Sequence, residues 1–215
     1  MKLELDNVEL NYGDKSILKS VYFSAEKNEI VGVFGRNGSG KTSLLEIIFG
    51  SVSPKYKLIR INKKPIQKKL YKTGWVSYLP QYHFIPTHLR LKTIFSVYHI
   101  SWKKFIQTFE DFAIYENEKA TVLSGGELRI VEIYLVLFSK TKILLLDEPF
   151  SNIAPLQIEK IRELIKEQKS QKIIVISDHF YHDVLAISDR LYMVNEKRVF
   201  EIENQKELKN HGYLL

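Results

Sequence analysis

The chain has no cysteine among its 215 residues, which excludes a disulfide framework and any thiolate metal site and fits a reducing compartment. Long apolar runs are also missing. The run Ile143 to Leu146 ends in two acids, and every apolar run in the chain falls far short of the roughly 18 uncharged residues that a membrane-spanning helix needs. A role at a membrane would therefore require another chain to supply the spanning helices. The amino terminus, MKLELDNVEL, alternates apolar and charged residues, so it is no secretory signal. Glycine is scarce: of 10 in the chain, five (Gly35, Gly38, Gly40, Gly125 and Gly126) lie in two short loops. Elsewhere the chain turns with Asn, Asp and Lys. Glycine kept in so few places points to backbone that something must approach closely, and phosphate suits such an approach. Internal repeats, low-complexity linkers and coiled-coil heptads are absent too. The chain stops soon after its last expected strand, so no substantial regulatory domain is expected.

What is present suffices for one folded unit. Hydrophobic residues make up 45% of the chain, enough for an ordinary core and too many for intrinsic disorder. The net charge of +7 admits a nucleic-acid partner, an anionic membrane surface or a solvated lysine-rich exterior. The lysines read as scattered pairs (Lys63–Lys64, Lys68–Lys69, Lys103–Lys104), which favours the solvated exterior.

Periodicity predicts strands over the first thirty residues, with a turn at Asn11 to Asp14 and a second strand from Ile17 to Ala25. Ile30 to Phe34 is a short, nearly continuous apolar run, as befits a strand buried on both faces. Thr42 to Phe49 has helical spacing. Further strands are expected at Lys57 to Ile61, Trp75 to Leu79, Ile143 to Leu146 and Lys172 to Ser177, with a terminal hairpin of Leu191 to Val194 and Arg198 to Ile202. Helices are expected from Ser124 to about Phe138 and over Ile158 to Lys169. Lys92 to Tyr115 carries aromatic residues at helical spacing (Phe95, Tyr98, Trp102, Phe105, Phe109, Phe112), read as a small helical unit with its own core rather than a stacking surface for bases. Strands alternating with helices imply an α/β fold with a mainly parallel sheet flanked by helices.

Gly35-Arg36-Asn37-Gly38-Ser39-Gly40-Lys41-Thr42 matches a phosphate-binding loop in full, between an expected strand and an expected helix. Backbone N–H groups must converge on phosphate oxygens, and side chains would block that approach. The following helix points its partial positive end at the same anion. Lys41 supplies a full charge to the β- and γ-phosphates, and the Thr42 hydroxyl suits Mg²⁺. The strand Ile143 to Leu146 runs into Asp147-Glu148-Pro149, placing two carboxylates at the carboxyl edge of the sheet, where ligands of parallel sheets bind. Asp147 suits a role in holding Mg²⁺, and Glu148 suits a general base that orients and deprotonates water.

Leu123-Ser124-Gly125-Gly126-Glu127, about twenty residues before Asp147, resembles the signature loop of ATP-binding cassette (ABC) ATPases, and the resemblance extends over essentially the whole chain. It implies a P-loop NTPase fold with an N-terminal antiparallel β-subdomain. The single domain of residues 1–215 would comprise a catalytic core at about 1–80 and 121–215 and a helical subdomain at about 82–120. It implies ATP and Mg²⁺ as cofactors. The nucleotide would be held by Tyr12, stacked on adenine, and by Gly35, Asn37, Gly38, Ser39, Gly40, Lys41, Thr42 and Ser43. Ser124, Gly125, Gly126 and Glu127 would approach the ATP of a second cassette. Thr42, Gln81 and Asp147 would hold the metal. Gln81 would also sense the membrane partner, and His179, in Ser177-Asp178-His179, would contact the γ-phosphate, so that Glu148, His179 and Gln81 form the catalytic set. Taken alone, Tyr12 also reads as a turn aromatic and Gln81 as a surface amide. His179 and His182 form an H-x-x-H pair, but with no cysteine and no third ligand no further metal site is expected.

The family usually ends its next short motif in aspartate, where Ser151-Asn152-Ile153-Ala154 has alanine. This puts coupling between two sites, or turnover, in question. Glu127 stands where Gln is more frequent. The resemblance implies a cytoplasmic ATP-hydrolysing subunit that dimerises, as homodimer or heterodimer, around two ATP and serves separate transmembrane permeases at the cytoplasmic face of the membrane. The alternatives are a soluble cassette acting on nucleic acid or the ribosome, and a low-turnover regulatory subunit.

Overall fold

The computed structural model describes residues 1–179 and 181–202. Strands β1 (Lys2–Tyr12) and β2 (Lys15–Glu26) form a long hairpin, followed by β3 (Ile30–Phe34) and helix α1 (Lys41–Phe49). Next come β4 (Tyr56–Ile61), the short β5 (Lys64–Pro65) and β6 (Val76–Leu79), then α2 (Leu91–Val97), α3 (Trp102–Thr108) and α4 (Gly125–Leu137). The remainder is β7 (Ile143–Asp147), α5 (Pro155–Gln168), β8 (Ile173–Ser177), α6 (Tyr181–Leu185), β9 (Arg190–Asn195) and β10 (Arg198–Ile202).

Two sheets result. One is antiparallel with order β2-β1-β4-β5; the other has order β10-β9-β3-β8-β7-β6. In the second sheet β6, β7, β8, β3 and β9 run parallel, and only β10 is antiparallel, as the hairpin partner of β9. Strand β7 shows why an almost unbroken apolar run is needed at the centre. Ile143 and Leu145 pack toward α1 and the antiparallel sheet, beside Leu5, Phe23 and Leu44. Leu144 and Leu146 face the other way, into a core shared with α4 and α5. Both faces are covered, so successive residues must all be apolar. All five residues of β3, β7 and β8 are buried, which fixes the height at which the loops after them emerge.

Three expectations need correction. Lys92 to Tyr115 is two short helices and a 3₁₀ turn, Glu110–Tyr115. The break falls at His99, whose φ of 55° leaves the helical region, and α3 restarts where the Ser101 side chain accepts from the Lys104 amide. Phe95, Phe105, Phe109 and Phe112 are buried as expected, whereas Trp102 is partly buried and Tyr98 is exposed, and the buried rings do not form a separate core. The Phe105 ring lies 4.9 Å from Tyr134 of α4 and joins the larger hydrophobic cluster. Helix α5 starts at Pro155, a turn before its apolar periodicity, because proline at the first helical position needs no amide partner. The basic residues are not evenly scattered: one block, between 55 and 72, holds eight of the 32 and no acid. They gather on β4, β5 and the following turn. There burial, and then the neighbouring Lys69, lowers the Lys57 pKa.

Candidate functional site

The loop between β3 and α1 is shaped by its glycines. Gly40, with φ of 112°, precedes the helix, and a Cβ there would meet Leu18 Cδ2 at 3.1 Å and Ile17 Cγ2 at 3.2 Å. A side chain is thus excluded by both backbone conformation and packing. The amino end of α1 has no side-chain cap and no acid in its first turn. Its amides and the positive end of its dipole are therefore not spent on the protein itself. Lys41 is 5% exposed and folds back so that Nζ donates to the Gly35 carbonyl at 2.7 Å. Burial lowers its pKa, while Glu148, Asp147 and Asp178 act in the opposite sense. The buried Ser39 hydroxyl has no hydrogen-bond partner among the described residues, and a phosphate oxygen would satisfy it.

A cleft of about 530 Å³ opens over this loop, floored by Asn37, Gly38, Gly40, Lys41, Thr42 and Ser43. Tyr12, half exposed at the end of β1, and Ile17 line one side, while Gln81, Glu148 and His179 line another. Residues from five separate chain segments thus meet where the sequence motifs pointed.

Two of the metal-type residues are joined by a hydrogen bond, and the third is held by strand neighbours. Gln81 Nε2 donates to the Thr42 hydroxyl at 3.2 Å, tying the segment after β6 to the start of α1. Asp147 ends β7 and is fully buried; Oδ1 accepts from Ser177 at 2.6 Å and Oδ2 from the Tyr78 hydroxyl at 3.0 Å. Burial, followed by Asp147, raises the Tyr78 pKa, so it stays a donor to that carboxylate. Oxygen ligands of this kind, hydroxyl, amide and carboxylate, suit a hard cation such as Mg²⁺. Asp147 does not line the cleft; Glu148 does. Glu148 adopts a φ of 49°, unusual for a residue with a side chain, and its amide donates to the Ser177 carbonyl at 2.7 Å. His179 Nδ1 lies 3.4 Å from Glu148 Oε2 and 3.5 Å from Asp178 Oδ1, and Asp178 Oδ2 accepts from the Phe150 amide.

The signature-like loop stands apart: Ser124, Gly125, Gly126 and Glu127 do not line this cleft. Ser124 caps α4 by accepting from the Glu127 amide, and Glu127 accepts from the Ser124 amide, a reciprocal capping box. The two glycines there differ. A Cβ on Gly126 would collide with the Asn152 carbonyl, so its glycine is required by the chain itself and not only by a ligand. Gly125 is exposed, and the nearest atom to a Cβ there is His83 Nε2 at 3.8 Å.

The ABC transporter family model matches residues 18–151, well over half of the chain. The chain belongs to this family. An ABC transporter ATP-binding protein of Methanocaldococcus jannaschii is 30% identical over 97% of this cassette and 90% of its own length. The lipopolysaccharide export ATP-binding protein LptB of Haemophilus influenzae is 27% identical over 97% and 92%. The ATP-binding subunit of an ABC transporter superposes with a TM-score of 0.82 at 21% identity, covering 99% of this cassette and 94% of that chain, which establishes the shared fold. The cassette is an ATPase, the ATP-hydrolysing subunit of a transporter. Among its described residues no helix is long and apolar enough to cross a membrane.

Two neighbours of the site, Tyr78 and Ser177, were legible only as parts of strands, since their role depends on which strand pairs with β7. Arg129 and Glu132 left a clearer trace. They are the only charged residues in the apolar run Leu128 to Phe138, and they lie at i and i+3. Opposite charges one turn apart on a buried helix signal a pair with structural consequences.

Proposed function

We propose that the cassette binds ATP in the cleft over the β3–α1 loop and hydrolyses it with Glu148 as the base. The observation that carries this reading is the convergence of Lys41, Thr42, Gln81, Glu148 and His179 on one cavity. The loop amides and the Lys41 ammonium neutralise the phosphates, and Tyr12 lies at the edge where an adenine ring can stack. Thr42, Gln81 and the buried Asp147 would hold Mg²⁺, which would supply charge neutralisation for the phosphates. Glu148 takes a proton from the attacking water. Its strained backbone aims the carboxylate into the cleft, and His179 beside it faces the γ-phosphate.

Gly125 and Gly126 amides at the start of α4, with Ser124, lie outside this cleft and suit the γ-phosphate of ATP held by a second cassette, so two ATP lie between paired subunits. Separate permease subunits receive the pair at the cytoplasmic face of the membrane, docking near residues 82–120, the helical subdomain that follows Gln81. Glu148→Gln tests the reading. We expect ATP binding to be retained, turnover to fall by about 10²- to 10⁴-fold, and a nucleotide-bound dimer to accumulate in size-exclusion chromatography with light scattering. A monomer that hydrolyses ATP at the normal rate overturns it.

A further inference from the structure

Helix α4 is apolar on nearly every side, yet it carries a buried arginine and a fully buried glutamate. Neither reaches solvent, and each is committed to another part of the site. Arg129 Nη1 donates to the Pro80 carbonyl at 2.6 Å, while Nη2 donates to the Asp147 carbonyl at 2.7 Å and to the Glu148 carbonyl at 3.1 Å. One planar guanidinium therefore bridges the ends of β6 and β7. Pro80 is the residue before Gln81; Asp147 and Glu148 are the two acids of the site. Glu132 lies 3.6 Å from Arg129 and accepts from the amides of Phe84 and Ile85 at 2.7 and 3.3 Å. Its other oxygen is 2.9 Å from His83 Nδ1, and His83 Nε2 is the atom that a Cβ on Gly125 of the signature-like loop would meet first, at 3.8 Å.

A buried ion pair contributes little net stability, because desolvation offsets attraction. A hydrophobic pair would fill the helix at no such cost. What the charged pair supplies is geometry: rigid, charge-assisted hydrogen bonds to backbone groups of two segments, the loop after β6 and the end of β7. The Glu148 backbone needs such support, since a φ of 49° persists only where neighbours over-determine it.

We propose that Arg129 and Glu132 are a positioning pair that sets Gln81 and Glu148 from one point, so that a displacement of residues 83–85 is carried through Glu132 and Arg129 to the catalytic carboxylate. The inference rests on the reading of Glu148 as the base. When residues 83–85 move, Glu132 moves with their amides, the guanidinium shifts, and the carbonyls of Asp147 and Glu148 follow. Turnover is thereby tied to the placement of the segment after Gln81, while the nucleotide-binding loop, which the pair does not touch, is left unchanged.

The test uses the full chain and three variants. Glu132→Gln keeps the shape and an acceptor for the two amides but removes the charge. Arg129→Lys keeps a charge but cannot fork between the two strand ends. His83→Ala alters only the exposed end of the relay. We expect turnover to fall about 30-fold for Arg129→Lys and about 10-fold for Glu132→Gln, as loss of sub-ångström alignment implies. His83→Ala should lose about threefold, within the reach of a modest misalignment. In all three the Kd for ATP should stay within about twofold of wild type, the differential expected of a group acting on the transition state. Amide exchange at Phe84 and Ile85 should accelerate in Glu132→Gln. Equal losses in ATP affinity and turnover, or full turnover in both Glu132→Gln and His83→Ala, overturn the proposal. Should Arg129→Lys fail to fold, the other two still decide it. Glu148→Gln in the same assay separates the two readings: if that variant hydrolyses ATP at the wild-type rate, the base assignment fails whatever Arg129 does.

Discussion

The cassette has two glycine-containing loops that each open a helix, and they are built on opposite plans. At the β3–α1 loop the helix start is left uncapped, the first turn has no acid, and a lysine is buried behind it. At the start of α4 the chain satisfies itself: Ser124 and Glu127 exchange hydrogen bonds with each other's backbone, and the Glu127 carboxylate occupies the first turn. The first loop leaves amides unspent beside an installed cation, which is what the proposed phosphate site requires. The second keeps only a small exposed amide surface at Gly125 and carries a negative charge beside it, so it suits a weak contact to a phosphate held mainly by something else. Similar glycine content therefore conceals different tasks, and the difference lies in whether the helix end is already paired.

The sharpest way to break this contrast is Lys41→Ala. We expect the Kd for ATP to rise at least about 100-fold, since a buried, charge-assisted contact is worth about 3 kcal/mol, as measured by titration with a fluorescent nucleotide. Normal affinity would mean that the first loop is not the phosphate site. Gly126→Ala comes next. Because a methyl there meets the Asn152 carbonyl, which is backbone, we expect a loss of about 1–3 kcal/mol of stability by denaturant unfolding, without a rise in the Kd of the monomer for ATP. Ser124→Ala removes a cap and should cost about 1 kcal/mol of stability, together with dimer formation by the Glu148→Gln protein. A dimer that still forms would leave the second loop as a helix cap and nothing more.

The smallest expected effect concerns Ala154. It is the N-cap of α5 and makes no side-chain hydrogen bond, with Pro155 just inside the helix. Ala154→Asp should raise stability by about 1 kcal/mol as a new cap, which thermal unfolding would detect. Any change in turnover must therefore be judged against that gain: a rise in turnover with unchanged cooperativity in ATP would assign the effect to the helix end and not to coupling between sites.

The phosphate loop, the two acids and the strand–helix alternation were legible because each is a local pattern whose chemistry is written in adjacent residues. Residues 92–115 were legible as helical and aromatic, yet the break at His99 and the merger of their core with Tyr134 were not. A positive φ and a long-range ring contact leave no periodic trace. The glycine at 126 was legible, but its reason was not: the carbonyl that demands it comes from a residue 26 positions further along the chain. The basic residues of 55–72 could have been counted as one block from the sequence. The structure adds that Lys57 and Lys69, twelve positions apart, come close enough to interact.

By itself the sequence determined that this chain is an ABC ATPase, because nucleotide chemistry requires particular residue types at close spacing and such requirements survive in short motifs. The tertiary structure alone decided that Tyr78 and Ser177 hold the Asp147 carboxylate, that the α4 glycines serve different masters, and that Arg129 and Glu132 tie Gln81 to Glu148. Those links depend on strand order and helix placement, and they join residues up to 69 positions apart. Hydrogen bonds across such separations form only after the sheet has assembled, so no local stretch of sequence can encode them.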